Sequence, residues 1–332
     1  MESPLKLGIR LTGTGSFVPS TYLDNHQLSQ MVVTSDEWIT TRTGICRRHL
    51  LPHGHSLTTM ATGAAQRAIA MAGIAPQQLD LIILATSTPD DLFGSASQIQ
   101  AQLGANQAVA FDLTAACSGF VFAFVTAAQF IRTGAYRNVL VIGADALSRW
   151  VDWSDRSTCI LFGDGAGAVV LQASEQDHLL GFQLHTDGSQ NHHLNLSYQA
   201  QARTLVDSVC IEQGTYQLLK MDGKEIYRFA VQKVPEVIEK ALFRANLTVT
   251  DVDWLIMHQA NQRILDAVAE RLGLSKEKII SNLANNGNTC AASIPLALDE
   301  AIRTRQIQRH STLAIAGFGA GLSWGAAVFE WV

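Results

Sequence analysis

Residues 112–134, DLTAACSGFVFAFVTAAQFIRTG, and residues 282–305, NLANNGNTCAASIPLALDEAIRTR, read as two copies of one unit. Each has a strand end, a turn of small residues, an apolar helix and a closing Ile-Arg-Thr, and such self-similarity marks an internal repeat. Superposing the closing tripeptides, which begin at 131 and 302, sets an offset of 171 and places Cys117 on Asn288. Two residues with chemical capacity would then occupy equivalent strand-to-helix turns near one pseudo-twofold axis. Working outward, NVLVIGAD (138–145) follows the first copy and STLAIAGFG (311–319) the second. These runs, with LDLIILATST (79–88), AGAVVLQAS (166–174) and VDWLIMHQ (252–259), have the length and β-branched apolar content of strands buried on both faces. Helical stretches near residues 60 and 226 alternate with them. The pattern predicts a duplicated α/β fold with helices covering the sheets. Each half would run strand, helix, strand, turn, helix, strand, dividing the chain into residues 1–180 and 181–332.

Between the halves, residues 188–217 are polar, lack a clear period and contain the pair His192–His193. This stretch is expected to be an irregular excursion bordering the substrate, as long loops in compact proteins often are.

Composition narrows the function. The chain has 332 residues, 47% of them hydrophobic and 16% charged, so much of its surface is expected inside the fold or between subunits. Its 24 basic and 29 acidic residues leave a net charge of -5 without a basic block, which argues against nucleic acid or an anionic membrane as partner. No apolar run approaches the ~20 residues of a membrane span. The N-terminus has neither signal-peptide nor transit-peptide character, so a cytoplasmic location is expected. The five cysteines, at 46, 117, 159, 210 and 290, form no CxxC pair and support neither a zinc site nor a disulfide framework.

Three residues stand out chemically. Cys117 opens a central apolar helix, where the positive end of the helix dipole favours thiolate; the alternative is a cysteine that merely fills a tight core position. His258 ends the strand WLIM, the carboxyl edge at which open α/β sheets place ligands. Asn288, in a glycine-bearing turn, could donate its amide to an anionic oxygen or simply form an Asx turn. Cys290 is expected to point elsewhere, into the core. The glycine clusters FGDGAGAVV (162–170) and FGAGLSWGAA (318–327) lack the context of phosphate cradles and read as tight turns. Either could expose backbone N–H groups for half of an oxyanion hole.

With Cys117 in AACSGF, His258 in HQANQRI, Asn288 in NGNTCAAS and the terminal GFGAGLSWGAA, the chain resembles β-ketoacyl-acyl-carrier-protein synthase III of the thiolase superfamily. The resemblance also runs through GTGSFVPS, SDEWITTRTGI, TSTPDDLF and FGDGAG, nearly the whole length. It implies a thiolase-like α-β-α-β-α layering and a homodimer that condenses an acyl-CoA primer, acetyl-CoA in the first instance, with malonyl-acyl-carrier protein to start fatty acid synthesis. Cys117 would carry the acyl group. His258 and Asn288 would hold the enolate, and the backbone N–H groups of Cys117 and Ala320 the tetrahedral oxyanion. No cofactor or metal is implied, since the CoA thioester is itself a substrate.

By the same resemblance Trp38 and Arg156 would sandwich the adenine of CoA with Arg42 nearby, and Arg228 and Arg263 would meet the acidic carrier protein. Leu92, Phe93, Phe162 and Phe318 would form the acyl pocket or its gate, Leu92–Phe93 reaching across to the partner. The chain departs from the common pattern at Gly94, where proline is usual, and at Lys224, where asparagine usually lines the CoA channel. The competing readings are a thiolase or hydroxymethylglutaryl-CoA synthase, a related acyltransferase of secondary metabolism, and a catalytically silent dimeric binding homologue.

Overall fold

The computed structural model describes residues 7–332; the first six residues, part of the N-terminus read above as leader-free, lie outside the described residues. Two sheets are stacked in the chain. The first has the order Gly8–Phe17, Gly165–Ser174, Asn138–Asp145, Leu81–Ala85, Val109–Leu113, with Gly165–Ser174 antiparallel to both its neighbours and the last three strands parallel. The second runs Trp254–Met257, Ser311–Gly319, Ser323–Trp331, Leu179–Thr186, with only the first pair parallel.

Period-two alternation explains how both faces of each sheet are buried. Leu81, Ile83, Val139 and Val141 face a cluster shared with the central helices Gly119–Arg132 and Ser293–Arg303, while Ile82, Leu84, Leu140 and Ile142 face Leu57–Ala72 and Ala96–Leu103. In the second sheet Ile256, Leu313 and Ile315 face the same central helices. Leu255, Met257, Ala314 and Ala316 face Gly223–Arg244 and Gln262–Leu272 on the other side. The result is the five-layer thiolase-like arrangement, with both repeat helices in the middle layer.

Three expectations are corrected. Single turns of 3-10 helix at Ala116–Ser118 and Cys290–Ala292 open the two units, and each begins at a positive φ, 46° for Ala116 and 51° for Cys290. The starts are therefore offset by 174, whereas the helix ends, Arg132 and Arg303, are offset by 171. The first helix has 14 residues and the second 11, so aligning their ends misplaces the turns, and Thr114 rather than Cys117 is the counterpart of Asn288. The strand expected before the second turn shrinks to a single bridge between Leu255 and Ile279, followed by the short helix Leu283–Asn286. Finally, residues 198–216 are not irregular. Tyr198–Val206 and Val209–Tyr216 pair as an exposed antiparallel hairpin, with Asp207 at φ 48° in its turn.

Candidate active site

Both repeat turns, and the end of the strand Trp254–Met257, meet at one cavity of about 380 Å³ lined by Cys117, His258, Asn288, Phe162, Phe318 and Gly319. The three residues singled out for chemistry are thus brought together although the repeat offset that first linked two of them was wrong.

Cys117 is buried just ahead of its helix. Its position is set from the opposite half of the chain: a Cβ on Gly319 would lie 2.8 Å from Cys117 Cβ and 2.9 Å from its nitrogen, so only glycine lets the strand Ser311–Gly319 approach this closely. Next to it, Ser118 Oγ lies 2.7 Å from Ser323 Oγ, tying the cysteine turn to the loop that carries Ala320. Gly319 lines the cavity directly and Ala320 follows it, the setting required for the backbone donor expected there.

His258 extends the ladder one residue beyond its strand, its N–H donating to Ala316 O at 2.8 Å. Its ring stands edge-on to Phe318, with centroids 5.2 Å apart, and Nδ1 lies 2.8 Å from Ser293 Oγ. Ser293 has one hydroxyl hydrogen, and Cys290 O stands 2.9 Å away as a second acceptor. When the hydroxyl donates to Nδ1, the ring proton sits on Nε2, the tautomer that can donate to an oxygen in the cavity.

Asn288 combines both roles weighed for it. Its Oδ1 accepts from the N–H of Cys290 at 2.9 Å, an Asx turn, and because Oδ1 must accept, Nδ2 is left as a donor for the cavity. Its backbone is pinned on both sides, donating to Leu161 O and accepting from Gly163 N–H, each at 2.9 Å.

The main departure from the sequence reading is Cys290. Rather than pointing away, its Sγ lies 3.2 Å from Cys117 Sγ, and both side chains are buried. The Asx turn curls the chain so that the residue two after Asn288 comes back over the first turn; an Asn-x-Cys spacing was the available signal. The Cys290 thiol donating to Cys117, with His258 beside it, holds the Cys117 thiol well below the ordinary range against the opposing effect of burial. Cys290 is pushed well above that range by its hydrogen bond to Cys117, by burial and by the charge of Asp145.

Asp145, also missed, ends the strand Asn138–Asp145 and fastens the second turn to the first sheet. It accepts from Ser87 N–H at 2.8 Å and Thr88 Oγ at 3.0 Å with one oxygen, and from Ala291 N–H at 3.0 Å with the other. Burial raises its pKa to about 6 despite these donors.

At the cavity mouth stand Lys224, Tyr227, Asn261 and Arg263, so the lysine noted as a departure does line the channel. The Arg263 guanidinium carbon lies 5.8 Å from the Tyr227 ring centre. Arg228 is exposed but bound to Glu225 at 2.7 Å, which offsets much of its charge. A second, open cavity lies by Met31, Val33 and Arg156. Here the expected sandwich is closed. The Arg156 guanidinium carbon lies 4.6 Å from the Trp38 ring centre, with Arg42 at 4.9 Å, and Arg156 donates to Val33 O at 2.9 Å. A purine between Trp38 and Arg156 needs two contacts of about 3.5 Å each, so Arg156 has to swing away to admit one.

Phe162 and Phe318 line the reactive cavity, but Leu92 and Phe93 do not; they are 79% and 100% exposed. The adjoining Gly94 has φ 106°, a conformation closed to proline. Among the described residues no group of three His, Cys, Asp or Glu side chains could hold a metal ion.

Comparison with known proteins places the chain in a family. Family models described as 3-oxoacyl-[acyl-carrier-protein] synthase III match residues 111–188, and as the C-terminal part of that enzyme, residues 242–331. A β-ketoacyl-[acyl-carrier-protein] synthase III of Nostoc sp. is 66% identical over 325 residues, 98% of each chain. The crystal structure of a 3-oxoacyl-[acyl-carrier-protein] synthase III from Aquifex aeolicus is 43% identical with a TM-score of 0.90, covering 98% of this chain and 100% of that one. A priming β-ketosynthase of a polyketide biosynthetic pathway is 34% identical with a TM-score of 0.91, covering 100% of this chain and 98% of that one.

Proposed function

The chain belongs to the 3-oxoacyl-[acyl-carrier-protein] synthase III family, and on that premise we propose that it joins an acyl-CoA primer, acetyl-CoA first, to malonyl-acyl-carrier protein at the start of fatty acid synthesis. The observation that carries this reading is the convergence of the Cys117 sulfur with donors from His258 and Asn288 on one cavity. Cys117 thiolate attacks the thioester carbonyl, the oxyanion forms against the Cys117 and Ala320 N–H groups, and CoA leaves. Malonyl-carrier protein then loses CO₂, its thioester oxygen becoming an enolate held by His258 and Asn288. The enolate carbon attacks acyl-Cys117, releasing the β-ketoacyl thioester and restoring the thiolate. Fixed donors supply the charge stabilisation, so no cofactor is needed.

Trp38, Arg42 and Arg156 would bind the nucleotide of CoA, and Arg263, with Arg228 behind it, the acidic carrier. The unpaired edge strand Val109–Leu113 with its half-exposed Val109, beside Leu92 and Phe93, is the edge on which a second copy would dock to form the homodimer. A two-part organisation at 1–180 and 181–332 and a cytoplasmic location belong to the same reading. Among the described residues no helix is long and apolar enough to cross a membrane.

The test is intact-mass measurement after mixing with acetyl-CoA or with longer and branched acyl-CoAs, followed by malonyl-carrier protein. Acylation at Cys117 by acetyl-CoA, and loss of about 10²–10³ in decarboxylation for His258→Ala or Asn288→Ala, are expected. Wild-type decarboxylation in both variants would overturn the enolate assignment, and no acylation by any thioester would favour the silent homologue. A strong preference for longer primers would favour the secondary-metabolic reading, to which the polyketide ketosynthase likeness points.

A further inference from the structure

Most cysteines near a nucleophile are spectators, but Cys290 touches it. The two sulfurs lie 3.2 Å apart, although 173 residues separate them in sequence. Cys117 lines the cavity and is reached from it, whereas Cys290 is buried behind it and faces Asp145. We propose that Cys117 and Cys290 form a two-cysteine oxidation site: a hydroperoxide entering the cavity oxidises Cys117, and Cys290 closes on it as a disulfide that a dithiol reopens. The inference rests on Cys117 being the reactive thiol of the proposed function.

The chemistry balances in two steps. Cys117 thiolate attacks the near peroxide oxygen; an S–O bond forms, the O–O bond breaks, and the far oxygen leaves as alcohol or water after taking a proton. Cys290 sulfur then attacks the Cys117 sulfenic acid; an S–S bond forms, the S–O bond breaks, and hydroxide leaves with the Cys290 proton as water. Two thiols lose two protons and two electrons, and the hydroperoxide takes them up to give an alcohol, or water, and water. The sulfurs must close to about 2.05 Å, a movement of about 1.2 Å. Both residues sit in short turns ahead of their helices, where side-chain rotation can supply much of this.

The arrangement has a chemical consequence. A sulfenic acid with no thiol beside it proceeds to sulfinic acid, which dithiols do not reverse, while one in contact with a thiol is captured as a reducible disulfide. Only the free enzyme is open to this, because in the acyl-enzyme the Cys117 sulfur is already a thioester.

The experiment treats the full chain with hydrogen peroxide at neutral pH, then blocks free thiols and reads intact mass and non-reduced peptides, with and without later dithiothreitol. The expected result is loss of two hydrogens, a linked pair of peptides containing Cys117 and Cys290, and condensing activity that is lost and then regained on reduction. Cys290→Ser and Cys290→Ala, scored by mass rather than rate, should instead gain two oxygens at Cys117 that dithiothreitol does not remove. Wild-type protein that gains oxygen at Cys117 without losing hydrogens, or that links a different cysteine pair, would overturn the proposal. Preloading with acetyl-CoA should suppress the disulfide. A disulfide at 117–290 that forms regardless of preloading would keep the oxidation site and remove Cys117 from acyl transfer.

Discussion

The two turns that carry the chemistry share a backbone and use it differently. Each bends through a positive φ, at Ala116 or Cys290, makes one 3-10 turn and enters a buried helix. The first shows the cavity the residue just after its bend, Cys117. The second shows it Asn288, two residues before its bend, and turns Cys290 onto the first turn. Each is clamped by a glycine of the opposite half. Gly319 admits Cys117, and Gly143, where a Cβ would lie 2.2 Å from Ala291 O, admits the second turn. A duplicated scaffold thus places two non-equivalent groups, the proposed nucleophile and the proposed enolate donor, through one reciprocal packing device.

The sharpest way to break that reciprocity is Gly319→Ala. The new methyl must displace the Cys117 backbone, and a nucleophile misplaced by about 1 Å can lose about 10² in rate. Acylation by acetyl-CoA, followed by intact mass, should fall accordingly; an unchanged rate would show that the first turn is not held by this contact. Gly143→Ala strikes the second turn. Overpacking against backbone should cost about 1–3 kcal/mol, read as a lower melting temperature, with condensation hurt more than acylation. Equal loss in both half-reactions would mean that the turns move together.

The sulfur contact offers a subtler probe. Because the Cys117 pKa is depressed, its thiolate, and hence its alkylation by iodoacetamide, should persist as pH falls below the ordinary thiol range and vanish only at lower pH. Cys290→Ala removes the donor that contributes most to this depression, so the midpoint of the alkylation profile should move up. No movement would assign the depression to His258. The smallest effect is expected far from both turns. Arg263→Glu should raise the KM for malonyl-carrier protein in a salt-dependent way and leave acylation nearly unchanged, whereas Arg228→Ala, whose charge Glu225 already offsets, should do less.

Apolar periodicity and the repeated unit were sufficient to read an α/β duplication from the sequence, since alternation along a strand and the run of an apolar helix are local properties. Cys117, His258 and Asn288 were legible for the same reason: each stands where a strand ends or a helix begins, and that position is written in its immediate neighbours. What the tertiary structure alone decided is which of these groups meet. The three-residue difference between the central helices and the stacking of Arg156 on Trp38 are not written in any one stretch of chain, and the approach of Cys290 to Cys117 depends on how two distant turns meet. That meeting runs through close approaches at Gly319 and Gly143, each made with a segment more than 140 residues away. Close packing turns such contacts into contacts between atoms, and a pattern read along one stretch of chain carries no information about the stretch packed against it.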